Sequence, residues 1–271
     1  MASVAFVSSG TDSMALLNRV LSDTTEDLEA IFVRFRHMFD PKEIRFCERK
    51  LDAQVAWLKE NVRDFTFTKE DQIAPSWSYY LKPTDRIYGT TITQAKLEQT
   101  EAAVRSYMTG LGLTLEMNPL KGRTDVYPHA LERMYNYAMF AKRRSADKIY
   151  TGHDEAQANT TIWKVLMDNF WPSVCSISWT PLSDFVSGSR LKIKSNIPSG
   201  LAEICNDCEQ AWQLGAECGS CRRCLTRKIL RDATQSLDEL ESLYNSELGK
   251  VTGESSSKKE RQALTALYAQ I

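Results

Sequence analysis

Five of the seven cysteines in this chain fall between positions 205 and 224. Cys218-Gly219-Ser220-Cys221-Arg222-Arg223-Cys224 is two overlapping C-x-x-C pairs, and Cys208 precedes it with nine residues between. Four soft thiolates are the number a closed tetrahedral zinc site requires, and such a site keeps no open position for chemistry, so the metal is expected to be structural. Gly219 lets the turn bring backbone amides toward the sulfurs, where they stabilise thiolate charge. Cys205-Asn206-Asp207-Cys208 is a third C-x-x-C, so five thiols compete for four positions. Cys208 is the preferred fourth ligand and Cys205 the reserve. An odd cysteine count in a long chain argues against a disulfide framework, and a thiolate cluster suits a reducing, cytoplasmic compartment.

A second candidate lies near the other end. Residues 2–7 read as a short buried strand, and Met14, Leu16 and Leu17 begin a helix. Between them stands Ser8-Ser9-Gly10-Thr11-Asp12-Ser13. A strand that breaks into a small, hydroxyl-rich turn and then a helix makes an anion site, because turn amides converge where the helix contributes partial positive charge. Asp12 and Ser13 also suit a helix cap, the plain structural alternative.

Together the two features resemble a known family. Ser8-Ser9-Gly10-Thr11-Asp12-Ser13 is similar to the S-G-G-x-D-S phosphate loop of the N-type ATP pyrophosphatases (the PP-loop superfamily), with Ser9 replacing the first glycine. Such a loop followed far downstream by C-x9-C-G-x-C-x-x-C and a basic helix resembles the 7-cyano-7-deazaguanine synthases of queuosine and deazapurine biosynthesis. Loop and cysteine run match over about residues 1–231, with Arg227 where that family carries an arginine. The middle departs from the pattern. Tyr127-Pro128-His129-Ala130-Leu131 keeps the proline of a P-x-R-N stretch without its Arg-Asn, and no Y-P-D-C-R substrate segment follows His153-Asp154-Glu155.

The resemblance implies an α/β fold of adenine-nucleotide alpha-hydrolase type, with a five-stranded-type parallel sheet, helices on both faces and a C-terminal zinc-binding helical segment. It also implies ATP, Mg²⁺ and Zn²⁺ as cofactors. Val7, Ser8, Ser9, Gly10, Thr11, Asp12, Ser13 and Met14 would hold the nucleotide, with Asp12 and Ser13 as the catalytic pair. The implied activity is ATP-dependent carbon–nitrogen ligation: adenylation of 7-carboxy-7-deazaguanine, then conversion with ammonia to the nitrile or as far as the amide, in a homodimer. Two rivals stand beside it, a tRNA thiolation enzyme sharing the loop and a non-catalytic nucleotide-binding protein of a defence or regulatory assembly.

The elements that must position these residues alternate strand and helix, which favours a parallel sheet covered on both faces. Strands are expected at residues 28–35, 65–68 and 147–152. Ile44, Cys47, Leu51, Val55, Leu58 and Val62 recur at helical spacing, a core stripe in which Cys47 carries no function. Helices follow at about 95–110 and 129–145, and Trp163, Val165, Leu166 and Phe170 suit a buried helix face. Leu191 and Ile193, flanked by Lys192 and Lys194, alternate as an edge strand. The long segment 69–94, with Trp77, Tyr79, Tyr80 and Tyr88, is expected to anchor itself by its aromatics. His153 and Asp154 lie just past a strand's carboxyl end, where open α/β sheets bind ligands, and with Arg227 they are the substrate candidates. Of the basic residues Arg222, Arg223, Arg227, Lys228 and Arg231, most are expected on a solvated helix face.

The chain is read as an ATP-binding domain at 1–200, a zinc-binding helical region at 201–248, and a Ser-, Lys- and Glu-rich linker leading to a short amphipathic helix at 249–271. A hydrophobic content of 42% supports one substantial core. A formal net charge of −1 argues against an electrostatic nucleic-acid binder. No apolar run reaches the roughly 18 residues that span a bilayer.

Overall fold

The computed structural model describes residues 2–35, 40–72, 86–87, 90–91, 128–153, 176–186, 188–205, 208, 210–252 and 256–271. Strand β1 (Ala2–Phe6) leads through helix α1 (Thr11–Asp23) to β2 (Leu28–Arg34), and α2 (Pro41–Asn61) leads to β3 (Thr66–Asp71). After a two-residue hairpin, β4 (Arg86–Ile87) with β5 (Thr90–Thr91), come α3 (Pro128–Arg143), β6 (Ala146–Thr151) and β7 (Ser178–Pro181). The five long strands form one parallel sheet in the order β3-β2-β1-β6-β7.

Side-chain alternation divides the core between the two faces. Val4, Phe6, Ile31, Val33 and Phe35 pack with Phe140 and Ala141 of α3. Ala5, Val7, Ala30 and Phe32 face the opposite way, against Met14, Leu16 and Leu17 of α1 and Leu51 and Leu58 of α2. Strands buried on both sides need apolar residues at successive positions, which is why β1 and β2 read as continuous runs. β7 was not foreseen: only four residues long, with Ser178 exposed, it carries little periodic signal.

The C-terminal third is helical: α4 (Arg190–Ser195), α5 (Ser199–Ile204), α6 (Ala211–Leu214), α7 (Arg222–Asp232), α8 (Leu237–Lys250) and α9 (Ser256–Tyr268). The expected edge strand at Leu191 and Ile193 is therefore helix α4, capped by the Ser189 side chain, which accepts from the Leu191 amide. Leu191 packs with α7, α8 and α9 while Ile193 enters the main core. The helix is wedged between two apolar clusters, so its pattern imitates the alternation of a strand. α8 opens on a capping box, Ser236 with Glu239.

The segment expected to be a flexible linker is also corrected in part. Helix α9 begins at Ser256, and Leu264 and Leu267 are buried in the cluster formed with α7 and α8. The Lys and Glu residues of its first turns resemble a linker in composition, but that composition equally suits the solvent face of a docked helix. Among the described residues no helix is long and apolar enough to cross a membrane.

Candidate functional site

Strand order determines where a site can open. The chain runs from β1 outward to β3, then returns to add β6 on β1's other side. Connections therefore leave β1 and β6 in opposite directions, and a crevice forms beyond their carboxyl ends. The turn at residues 8–10, the start of α1, and the pair Gly152-His153 all stand there.

The contact between these parts is backbone to backbone. A Cβ on Gly152 would lie 2.8 Å from the Ser13 amide nitrogen and 2.9 Å from its Cα. Only a residue without a side chain lets β6 end against the first turn of α1. The turn itself is tied down by Gln54 of α2, which is fully buried and donates from Nε2 to the Ser9 carbonyl at 3.0 Å. The Ser8 and Ser13 hydroxyls lie 3.0 Å apart and close the turn on itself. Ser9 is buried, and its φ is not in the left-handed region, so serine serves where the resembled loop has glycine.

The helix begins at Thr11, with Gly10 as its N-cap and no side-chain cap. Asp12 and Ser13 are thus inside the first turn rather than capping it, and both line a cleft of about 310 Å³. Val7, Ser8, Ser9 and Gly10 line it as well, whereas Met14 is fully buried in the core beneath α1. Thr11 is buried, with a hydroxyl that has no hydrogen-bond partner. The floor and one wall are apolar, from Ile31, Phe32, Val33 and Phe35 at the end of β2 and Ile44 of α2. A polar loop beside an apolar slot is the amphipathic lining a nucleotide requires.

His153 is drawn into this cleft, and Asp154 lies outside the described residues, as do Trp77, Tyr79, Tyr80, Tyr88 and the expected helices at 95–110 and around Trp163. Desolvation, together with the nearby Arg133 guanidinium and against the pull of Asp12, lowers the His153 pKa to about 3. Its imidazole is therefore neutral. Trp179 Nε1 donates to Thr151 Oγ1 at 2.6 Å, and His153 Nδ1 lies 2.7 Å from the same oxygen. An indole N–H can only donate, so the Thr151 oxygen accepts from Trp179 and is shared with His153 Nδ1, which fixes the plane of the imidazole in the cleft.

Three further residues in the cleft have no sequence signal of their own. Arg133 and Tyr137 of α3 line it, one turn apart, with the Tyr137 ring stacked on Phe6 at 4.0 Å. Arg223 of α7 also reaches it, with Nη1 3.9 Å from where a Gly10 Cβ would be. Arg227, the arginine chosen from sequence, pairs instead with Glu217 and does not line the cleft. Distance along the axis accounts for the difference: the two share a face, but Arg227, four residues beyond Arg223, is a turn farther from the N-terminal end of α7. Cys47, assigned to the core stripe, is half-buried and lines the cleft too.

The sulfurs of Cys208, Cys218, Cys221 and Cys224 all lie within 4.8 Å of one another. Cys205 is apart from them, buried in the main core at the end of α5. Zn–S bonds of about 2.3 Å in a tetrahedron imply sulfur separations of about 3.8 Å. The 4.0 Å between Cys218 and Cys224 is close to that value. Gly219, at φ +74°, turns the chain so that the Cys221 amide donates to Cys218 Sγ at 3.3 Å. The Cys218 and Gln210 amides donate to Cys208 Sγ at 3.2 and 3.4 Å. Burial works against the Cys218 thiolate, but the Ser220 and Cys221 amides and the Cys208 and Cys221 thiols bring its pKa down to about 6. Burial, with Cys221 and Cys208 beside it, drives Cys224 strongly upward. Only a cation among the four would hold all of them as thiolates.

The cluster lies beside the cleft and roofs it. Cys208, Trp212 and Arg223 are cleft residues, and Lys194 of α4, buried, donates to the Arg223 carbonyl at 3.2 Å.

Two predictions arise from this geometry. Gly152→Ala should destabilise the protein by about 1–3 kcal/mol, the usual cost of forcing atoms into filled space. Denaturant unfolding measures it, and an unchanged midpoint would show that the β6–α1 contact is soft. Unfolded His153 titrates near the ordinary 6.5 and folded His153 near 3, so unfolding takes up a proton between those values. Its contribution to stability is complete above pH 6.5 and is lost as pH falls through 3. His153→Gln should flatten the dependence of stability on pH in that window, and parallel curves for parent and variant would show that the ring titrates freely.

No protein-family model matches the chain, and no curated protein matches it. Among solved structures the chain is similar to the U34-tRNA thiolase NcsA from Methanococcus maripaludis with its 4Fe-4S cluster. The identity is 11% over 99% of this chain and 82% of that one, with a TM-score of 0.38. The functional reading therefore rests on the cleft and the cluster themselves.

Proposed function

We propose that this chain is an ATP-using enzyme of the PP-loop class that activates a carboxylate by adenylation and passes it to ammonia, with a 7-carboxy-7-deazaguanine-like acid as substrate. One observation carries the reading. At the topological switch point an α1 N-terminus with no side-chain cap presents Asp12 and Ser13 into a half-apolar cleft, and Arg223 closes over the loop. First-turn amides and an arginine fork are complementary to a phosphate chain, and the apolar end of β2 suits the face of a purine.

The chain's own residues account for most of the chemistry. The loop amides hold the phosphates in line with the attacking carboxylate, and Arg223 stabilises the charge that grows as pyrophosphate leaves. Asp12 would hold magnesium, which neutralises phosphate charge. Arg133 supplies positive charge where an acidic substrate must sit, and the neutral imidazole of His153 is a hydrogen-bonding partner for its polar edge. Arg133 and Asn136 also bear on the missing Arg-Asn pair of the resembled family: both types recur on α3, a turn or two after Pro128. Cys208, Cys218, Cys221 and Cys224 would hold zinc, which keeps α7 and its Arg223 over the loop.

A second reading is supported by Cys47 and Cys208, whose side chains line the cleft where they could carry sulfur to an RNA base. The compact sulfur cage favours the ligase, because four thiolates within 4.8 Å suit one ion. The ligands of a cubane cluster stand farther apart, each on its own iron.

Incubation with ATP, magnesium, ammonium and 7-carboxy-7-deazaguanine, read by mass spectrometry, should give AMP and the amide or nitrile. Asp12→Ala should abolish AMP formation, whereas Cys47→Ala should leave it intact. Sulfur transfer to RNA that depends on Cys47 would replace the ligase by the thiolase. One zinc per chain should copurify, and Cys221→Ala should lose it and unfold at lower temperature, since ligation energy is folding energy. Cys205→Ala should retain the metal. Full zinc content in Cys221→Ala would sink the metal assignment.

A further inference from the structure

A second concavity, of about 340 Å³, uses the thiolate cluster as a wall. The cleft touches the cluster through Cys208, and this pocket touches it through Cys218 and Cys221. Three cationic side chains line it, Arg222 from the first turn of α7 and Lys258 and Arg261 from the first turns of α9, along with Gln210 and Ser220; among the described residues no carboxylate does. Lys258 and Arg261 are three residues apart on α9 and so share a face. Arg222 is oriented by Glu260, whose carboxylate accepts from its Nη1 at 2.7 Å. The α7 N-terminus beside it has Cys221 as N-cap and no side-chain cap. The volume far exceeds that of a lone ion, and an arginine fork, a second arginine, a lysine and a hydroxyl around one space match the oxygens of a phosphate.

We propose that this pocket is a second anion site, distinct from the cleft, that takes a phosphate or diphosphate group. The source is either free pyrophosphate or the phosphates of a nucleic-acid chain; the chemistry of recognition is the same. The two sites are mechanically joined. Arg222 and Arg223 are neighbours on α7, one lining the pocket and the other the cleft. An anion that holds Arg222 therefore steadies the helix that carries Arg223 to the phosphate loop.

The test is calorimetric titration of the metal-containing chain with sodium pyrophosphate, at constant ionic strength, for the parent and for Lys258→Ala/Arg261→Ala. The double variant is expected to lose one binding event, weakened about tenfold or more, while its metal content stays at the parent's level. Superimposable isotherms would overturn the proposal. Metal loss in the double variant would overturn it as well, because the two cations would then be counter-ions of the thiolates. Neither result depends on whether the cleft adenylates anything, since that is read separately from AMP formation. A parallel titration with a short oligoribonucleotide identifies the source. Binding that the double variant loses and pyrophosphate displaces points to nucleic-acid phosphates, and its absence beside pyrophosphate binding points to the free anion.

Discussion

The missing side chain at Gly152 lets the end of β6 lie against the backbone of α1's first turn. Much of the site follows from that close approach. It places His153 beside Asp12 and draws α1's N-terminus to the crevice between β1 and β6, where strand order already directs the connections apart. Gln54 acts from the opposite side. Its buried amide holds the Ser9 carbonyl, so the turn is gripped between α2 and β6 and needs no glycine at position 9. Amides at a helix start attract an anion best when they are already aimed, and here packing does the aiming.

What was legible in the sequence depended on how local each feature is. The loop and the cysteine run are short segments whose chemistry and position are written together, so both could be read directly. The doubly covered sheet was legible from strand–helix alternation. The cleft's arginines were not. Arg133 and Arg223 lie on helices among other charged residues, and whether such a side chain meets solvent or a cleft is decided by where the helix docks. The resemblance pointed to Arg227, one turn away from the arginine that reaches the loop. α4 and α9 illustrate the same limit: Leu191 and Ile193 serve different cores, and the charged start of α9 is the outer face of a docked helix. Single-sequence periodicity assumes one buried face per element, and α4 violates it.

The thiolate cluster has a mechanical role beyond its chemistry. Cys221 is the N-cap of α7 and Cys224 sits in its first turn, while Cys208 belongs to the segment after α5. Drawing those sulfurs together sets where α7 begins and how it is rotated. Arg223 is adjacent to Cys224 and two residues from Cys221, so its reach to the turn before α1 is a direct consequence of sulfur geometry, reinforced by Lys194 on its carbonyl.

This arrangement also explains why the opposed shifts of Cys218 and Cys224 belong to one design. Amides around the Gly219 turn make Cys218 easy to deprotonate, while crowding among sulfurs makes the last proton, on Cys224, hard to remove. A cation bound among the four sulfurs would offset the cost of that deprotonation, because its charge attracts every thiolate to a common centre. The position of α7, and with it the approach of Arg223 to the cleft, is therefore tied to the charge state of the four sulfurs.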